Sequence, residues 1–357
     1  MTTRVLMTAD TVGGVWTYSL ELADALAAEG VDVHLATMGR PLADHQRDEL
    51  RRSAVVEVHE SGFALEWMAE PWGDVERAAG WLLDLEDAVQ PDVVHLNGYA
   101  HGALPWRAPT VVVAHSCVLS WWDAVHGEAA PPEWDEYRRR VAMGLHAAGV
   151  VVAPTRAMLD CVRRWYGVRG GVVVPNGRRL DAAAPGEKEP LVLGTGRVWD
   201  EAKGLDALAA VAPRLAWPVA VAGDAVGADL AGVEALGLLP FDELRGWLAR
   251  AAIFCEPARY EPFGLGALEA GLAGCALVLG DIPSLREVWG DAAVYVRPGD
   301  EDALVRALDR LTSQPAWCAT LGRRARERAR TYTPERTAAG YAAVYASLAD
   351  RTARAVG

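Results

Sequence analysis

The chain has 357 residues, 51% of them hydrophobic and 23% charged, ample for two domains with a core each. Its net charge of −13 repels phosphate backbones and anionic lipid, so no nucleic acid partner is expected and membrane association is disfavoured. The five cysteines are odd in number and share no Cys-x-x-Cys spacing, the opening MTTRVLMTADTVGG lacks a long apolar core, and no run of about 18 apolar residues appears; a reduced, cytoplasmic chain without a membrane span is expected.

Arg4–Met7 reads as a strand running into a glycine turn at Gly13-Gly14, and Tyr18–Glu29 as a helix with Leu20, Leu22, Ala23 and Leu26 on one side. Val31–Thr37, Val93–Leu96, Thr110–Ala114 and Val150–Ala153 are further apolar strands with helical patterns between most of them. The stretch from Val172 to Pro190 is rich in proline, glycine and charge and reads as a linker. A second series follows at Leu191–Thr195, Val219–Ala222, Ile253–Glu256, Ala276–Leu279 and Val294–Val296. The alternation predicts an α/β chain of two doubly wound domains with parallel sheets, binding ligands at the carboxyl ends of the strands, in the cleft between the domains. The basic clusters Arg51-Arg52 and Arg138-Arg139-Arg140 read as solvated helix faces.

The segment YEPFGLGALEAGLAGCALVLGD, Tyr260–Asp281, places Glu269 among Leu265, Ala267, Leu268, Ala270 and Leu272 on a helix starting near Gly264. A carboxylate there needs hydrogen-bond donors, and a ribose diol supplies two. The Phe263, Gly264, Leu265 and Gly266 amides at the helix start suit phosphate or sugar oxygens, and Glu261 just outside suits sugar hydroxyls. A local ion pair, for instance with Arg259, is the plainer account of both glutamates. After the strand Leu191–Thr195, the loop GTGRVWDEAKG carries Arg197 and Lys203, two cations able to neutralise a diphosphate. Trp199 stands where a nicotinamide fingerprint needs a small residue, which disfavours that cofactor. The Gly13 and Gly14 amides could also meet phosphate, although such a pair is more often just a tight turn. Asp300–Asp302 has an Asp-x-Asp spacing but precedes a helical pattern, so a helix cap is expected rather than a metal site.

RYEPFGLGALEAGLAGC resembles the paired-glutamate region of retaining GT-B glycosyltransferases of family 4. GRVWDEAKG is similar to that family's Arg…Lys diphosphate loop, VVPNG to its interdomain junction, and DTVGGVWTYSLELADALAAEGVDVHLAT to its glycine loop and first helix. The resemblance implies a GT-B fold of two Rossmann-like domains facing each other across a cleft. It divides the chain as 1–174 and 175–334, with a C-terminal helix, about 335–357, crossing back to the first domain. It implies retaining, metal-independent transfer of a hexosyl group from a nucleoside diphosphate sugar to an acceptor hydroxyl, with no cofactor. UDP is the first expectation for the carrier, and GDP and ADP stay open. Glu269 would hold the ribose, Glu261 the donor sugar, Arg197 and Lys203 the diphosphate, and Leu239 the base through its backbone. His115, after the strand Thr110–Ala114, would hydrogen-bond a sugar hydroxyl; Trp16, Asn97, Trp121, Trp122 and Asp123 are acceptor-side candidates, with His101 a weaker one. Alanine at Arg197 or Lys203 is expected to spare the fold and remove most turnover. Other classes compatible with the residues are a non-catalytic nucleotide-sugar binding protein and another GT-B enzyme such as a phosphorylase or epimerase.

Overall fold

The computed structural model describes residues 2–180, 187–224 and 231–356. They divide into two compact units, the first comprising Met1–Trp122, Ala129–Gly177 and Thr333–Gly357, the second Asp123–Glu128 and Arg178–Tyr332.

In the first unit seven strands, β1 (Thr3–Asp10), β2 (Val31–Met38), β3 (Glu57–Glu60), β4 (Val93–Leu96), β5 (Thr110–Val113), β6 (Val150–Ala153) and β7 (Val172–Val173), form one parallel sheet in the order β3-β2-β1-β4-β5-β6-β7. The helices α1 (Gly14–Ala28), α2 (Asp44–Leu50), α3 (Trp72–Val89), α4 (Val118–His126, of which the residues from Asp123 count with the second unit), α5 (Asp135–Ala147) and α6 (Arg156–Tyr166) connect the strands. Covering both faces explains why the central strands are unbroken apolar runs: Val5, Leu6, Met7, Val94, Val111 and Val112 are all fully buried. The register of β1 on β2 runs from Thr3 opposite Val31 to Asp10 opposite Met38.

The second unit repeats the plan with six strands: β8 (Glu189–Thr195), β9 (Val219–Ala222), β10 (Glu234–Gly237), β11 (Ala251–Glu256), β12 (Ala276–Gly280) and β13 (Val294–Val296), ordered β10-β9-β8-β11-β12-β13 and all parallel. Its helices are α7 (Leu205–Val211), α8 (Phe241–Arg250), α9 (Leu265–Leu272), α10 (Pro283–Trp289), α11 (Glu301–Thr312) and α12 (Pro315–Ala329). Phe254, Leu268, Leu277, Leu285 and Trp289 form one buried cluster between sheet and helices. The last helix, α13 (Pro334–Val356), belongs to the first unit and packs along α1.

Three strands escape the sequence pattern. β3, β7 and β10 lie at sheet edges and stay largely exposed; β3 and β10 carry no apolar run, and β7 is only the valine pair Val172–Val173 beside a proline- and glycine-rich stretch. The expected linker is likewise ordered at both ends: Val172 and Val173 pair with Val152 and Ala153, β8 already starts at Glu189, and 181–186 lie outside the described residues. Arg138, Arg139 and Arg140 form ion pairs with Asp135, Glu136 and Glu76. Asp300 caps α11 by accepting the Ala303 N–H at 2.8 Å, while Asp302 pairs with Arg214 at 2.7 Å. No helix among the described residues is long and apolar enough to cross a membrane.

Candidate active site

Both sheets have the strand order 3-2-1-4-5-6 over their first six strands. The chain leaves the first and fourth strands toward opposite faces, and the crevice at that switch point is where such sheets bind ligands. In the second unit the switch lies between β8 and β11, paired through Val192–Ile253 and Leu193–Phe254. The loops that follow these two strands carry Arg197 with Lys203 and Glu261 with Gly264.

After β8 the chain turns through Gly196 into a 3₁₀ turn at Glu201–Lys203, capped by Asp200, which accepts the Ala202 N–H at 3.1 Å. The second Asp200 oxygen holds Arg197 Nη2 at 2.8 Å, and the guanidinium lies 5.3 Å from the Trp199 ring. Arg197 keeps 39% of its side chain in solvent. Lys203 is more enclosed. Its ammonium donates to Glu261 Oε2 and lies 3.4 Å from Glu256 Oε1.

Glu256, at the end of the apolar strand β11, is a site residue that the sequence reading passed over. It is 3% exposed, and its second oxygen has no hydrogen-bond partner. Burial raises its pKa to about 8; the Lys203 charge pulls the other way and the Glu261 charge adds to the rise. Burial also works against the Glu261 carboxylate, but Lys203 and the Phe263 and Gly264 amides outweigh it and hold that pKa below its ordinary value. Burial alone would lower the Lys203 pKa, and the two carboxylates reverse the sign. Between the lowered Glu261 pKa and about pH 8 the cluster is therefore one cation, one anion and one neutral acid.

Glu261 Oε1 accepts the Phe263 N–H at 3.3 Å and the Gly264 N–H at 2.9 Å. This corrects one expectation: two of the four amides proposed for a ligand are occupied by Glu261. Leu265 and Gly266, the first residues of α9, retain amides with no intrahelical acceptor. Gly264 takes φ 88°, a left-handed conformation open to glycine, and a Cβ on Gly266 would sit 2.9 Å from Thr195 Oγ1. The start of α9 therefore packs directly on the end of β8.

Glu269 is 8% exposed and pairs with Arg178, Nε to Oε1 at 2.7 Å. The expected alternative partner, Arg259, instead lies against the Glu201 carbonyl and Asp206. Arg178, 9% exposed and stacked 4.3 Å from the Phe241 ring, is a second residue missed in the sequence; the only signal was its place after the VVPNG junction. Burial raises the Glu269 pKa, and Arg178 offsets part of the rise. Leu239 lies half-buried between β10 and α8.

In the first unit the switch lies between β1 and β4. Gly13, at φ 93° and ψ −155°, begins α1, with Gly14 its first residue. Asn97 follows β4 and is tied to β1, its backbone N–H donating to Thr8 Oγ1 at 2.9 Å and its Nδ2 to the Thr8 carbonyl at 2.7 Å. That orientation presents Asn97 Oδ1 to two imidazoles, His115 Nε2 at 2.9 Å and His95 Nε2 at 3.2 Å. Both rings therefore carry their proton on Nε2, leaving Nδ1 of His95 to accept from Tyr345 Oη at 2.7 Å. Burial pulls both histidines down to about 3; for His95 the neighbouring His115 adds to the fall. The His115 ring also meets the Tyr18 ring edge-on at 4.5 Å.

Two candidates, Trp16 and His101, are packing residues. Trp16 is 4% exposed and donates its indole N–H to Glu49 at 2.6 Å, so its face is packed rather than offered to a sugar. His101 is buried and bound to the Val75 carbonyl at 3.0 Å, a packing role. Trp121 and Trp122 are half-buried and pack edge-to-face on each other at 5.9 Å, in the helix that also carries half-buried Asp123. Asn97 and His115 come together at 2.9 Å.

Residues 12–182 match the family model described as Glycosyltransferase Family 4, and residues 189–314 match the one described as Glycosyl transferases group 1. The chain is 26% identical over 372 aligned positions to glycogen synthase of Mycobacterium tuberculosis, covering 89% of this chain and 86% of that protein. Its fold is similar to that of sucrose-phosphate synthase from Thermosynechococcus elongatus, with a TM-score of 0.79 at 20% identity over 97% of this chain and 99% of that one. HepE of Anabaena, solved in complex with UDP and glucose, matches with a TM-score of 0.74 at 15% identity over 97% and 100% of the two chains. These likenesses agree with two parallel-sheet, Rossmann-like domains of the GT-B class.

Proposed function

The chain belongs to the family 4, group 1 glycosyltransferases, and from that premise we propose that it transfers a hexosyl group from UDP-hexose to an acceptor hydroxyl, with retention of configuration and without a metal ion. One observation carries the reading: Arg197, Lys203 and the open Leu265 and Gly266 amides gather around the β8–β11 switch point. Negative charge grows on the β-phosphate as the glycosidic bond breaks, and fixed cations and amides stabilise it there. The Lys203 ammonium has three N–H donors; two serve Glu261 and Glu256, and the third is available to phosphate. A neutral Glu256 matters in this setting, because a second carboxylate charge beside the diphosphate would repel it.

Glu261 is committed on both oxygens, which disfavours a covalent nucleophile and suits a role in shaping the α9 start. In the proposed reaction the departing phosphate oxygen accepts the acceptor's proton on the same face of the sugar, so no paired-carboxylate mechanism is needed. Glu269 gives Oε1 to Arg178 and keeps Oε2 for the ribose hydroxyls. His115, neutral above about pH 3, is proposed to hydrogen-bond a sugar hydroxyl. The choice of UDP draws on HepE, whose structure holds UDP and glucose; a hexosyl donor agrees with the glycogen synthase likeness.

Calorimetry with UDP, GDP and ADP tests the reading. UDP should bind tightest, and Glu269→Gln should weaken it about 10–100-fold, the loss of one or two hydrogen bonds to a charged acceptor. Equal affinity of wild type and variant for all three diphosphates would remove the ribose assignment. Nuclear magnetic resonance of the product anomer, in chelator-treated enzyme, then decides retention and metal independence.

A further inference from the structure

The outer edge of the first unit's sheet carries a side-chain group that glycosyl transfer leaves unused. β2 and β3 run parallel with His34 opposite Glu57 and Ala36 opposite His59. The alternation of strand side chains puts His34, Glu57 and His59 on one face. The two imidazole planes are 12° apart, with centroids separated by 6.2 Å. Each ring directs a nitrogen at the same carboxylate oxygen: His34 Nδ1 lies 3.5 Å and His59 Nε2 3.7 Å from Glu57 Oε2. Both nitrogens are buried atoms without a hydrogen-bond partner.

These separations are too long for N–H···O bonds, which centre near about 2.9 Å. They fit another geometry better. Donors held about 2.0–2.2 Å from a tetrahedral ion lie about 3.3–3.6 Å from one another. All three donor atoms lie within 4.8 Å of one another; the two N···O separations, 3.5 and 3.7 Å, already come close to the tetrahedral spacing, so the remaining approach falls to the two half-buried imidazoles. Two imidazoles and a carboxylate are the donor set of a three-ligand zinc-type site; calcium and magnesium would call for oxygen ligands. β3 also has something to gain. It is a four-residue edge strand with no fully buried residue, so little apolar contact holds it to β2.

We propose that His34, Glu57 and His59 bind a divalent transition metal of the zinc class, leaving one position open to water, and that the ion pins β3 to β2. The site shares no residue with the Asn97–His115 network or with the β8–β11 switch point, so it stands or falls apart from the transferase reading.

The test uses the full chain without a histidine tag, stripped with chelator and titrated with Co²⁺. One equivalent should produce the visible d–d absorption of a four- or five-coordinate complex, displaced by Zn²⁺. Changes to groups behind metal ligands already cost about 10–100-fold in affinity, so His34→Ala/His59→Ala should lose more than about 100-fold, and the band with it. Glu57→Gln, at an exposed side chain that leaves folding intact, should also weaken Zn²⁺ binding by at least about tenfold, and it decides the matter if the double variant misfolds. Absence of a stoichiometric band in the wild type, or a band undiminished in the variants, would overturn the site.

Discussion

The two switch points have the same topology and opposite electrostatics. Between β1 and β4, Asn97 gathers two imidazoles that burial keeps neutral, closed off by tyrosines. Between β8 and β11, Lys203 is gripped by two glutamates and Arg197 stands half in solvent beside Asp200. The strand order dictates where a ligand can sit in each unit; the side chains at the strand ends dictate what chemistry it meets. A neutral, hydrogen-bonding crevice suits uncharged hydroxyls, whereas a charged one suits a diphosphate.

Breaking the charged crevice should have the largest effect. Lys203→Ala leaves Glu256 and Glu261 buried without their cation and should cost about 3–5 kcal/mol of stability, read from denaturant unfolding. The expectation that this variant folds normally is therefore revised, because Lys203 neutralises buried carboxylates whatever its role toward phosphate. Arg197→Ala, at a side chain 39% exposed, should cost less than about 1 kcal/mol in stability yet lower turnover about 10²–10³-fold. Equal stability losses in the two variants would erase the distinction.

The pH dependence of the charged crevice comes next. The Glu256 pKa is raised on folding, so between its ordinary carboxyl range and about pH 8 the folded state binds more protons than the unfolded one. Stability then falls as pH rises through that window. Glu261 is shifted the other way, and its contribution is lost only as pH falls through its lowered pKa. Glu256→Gln, neutral at every pH, should remove the decline, so unfolding curves from pH 5 to 9 should diverge with the variant gaining. Parallel curves would show that Glu256 is charged throughout.

The neutral crevice should respond less. His115→Asn should lower turnover about 3–10-fold, the worth of one neutral hydrogen bond, and leave the shape of the pH–rate profile from 5 to 8 unchanged. A wild-type limb near pH 6.5 that vanishes in the variant would mean that His115 titrates there. The smallest effect belongs outside both crevices: Asp300→Ala should cost about 1 kcal/mol as a lost helix cap and leave turnover intact. Loss of activity there would revive a metal role for Asp300–Asp302.

The position of Glu269 was legible because a charge inside Leu265–Leu272 contradicts its surroundings. Its partner was not, and neither were Glu256 and its partner. Arg178 reaches Glu269 across 91 residues, and Lys203 reaches Glu256 across 53. Nothing local distinguishes Arg178 from Arg179, and Glu256 reads as the polar end of a strand until Lys203 is placed beside it. Trp16 misled for the converse reason: an aromatic next to a glycine turn looks available until Glu49 takes its indole N–H.

By itself the order of residues determined the two doubly wound sheets and their buried strands, because a strand covered on both faces must be apolar along its length. The edge strands β3, β7 and β10, the ion-pair partners and the protonation of Glu256, His95 and His115 were decided only by the tertiary structure. Burial and long-range pairing set those properties, and both arise from groups far apart in the chain that meet when the sheets close.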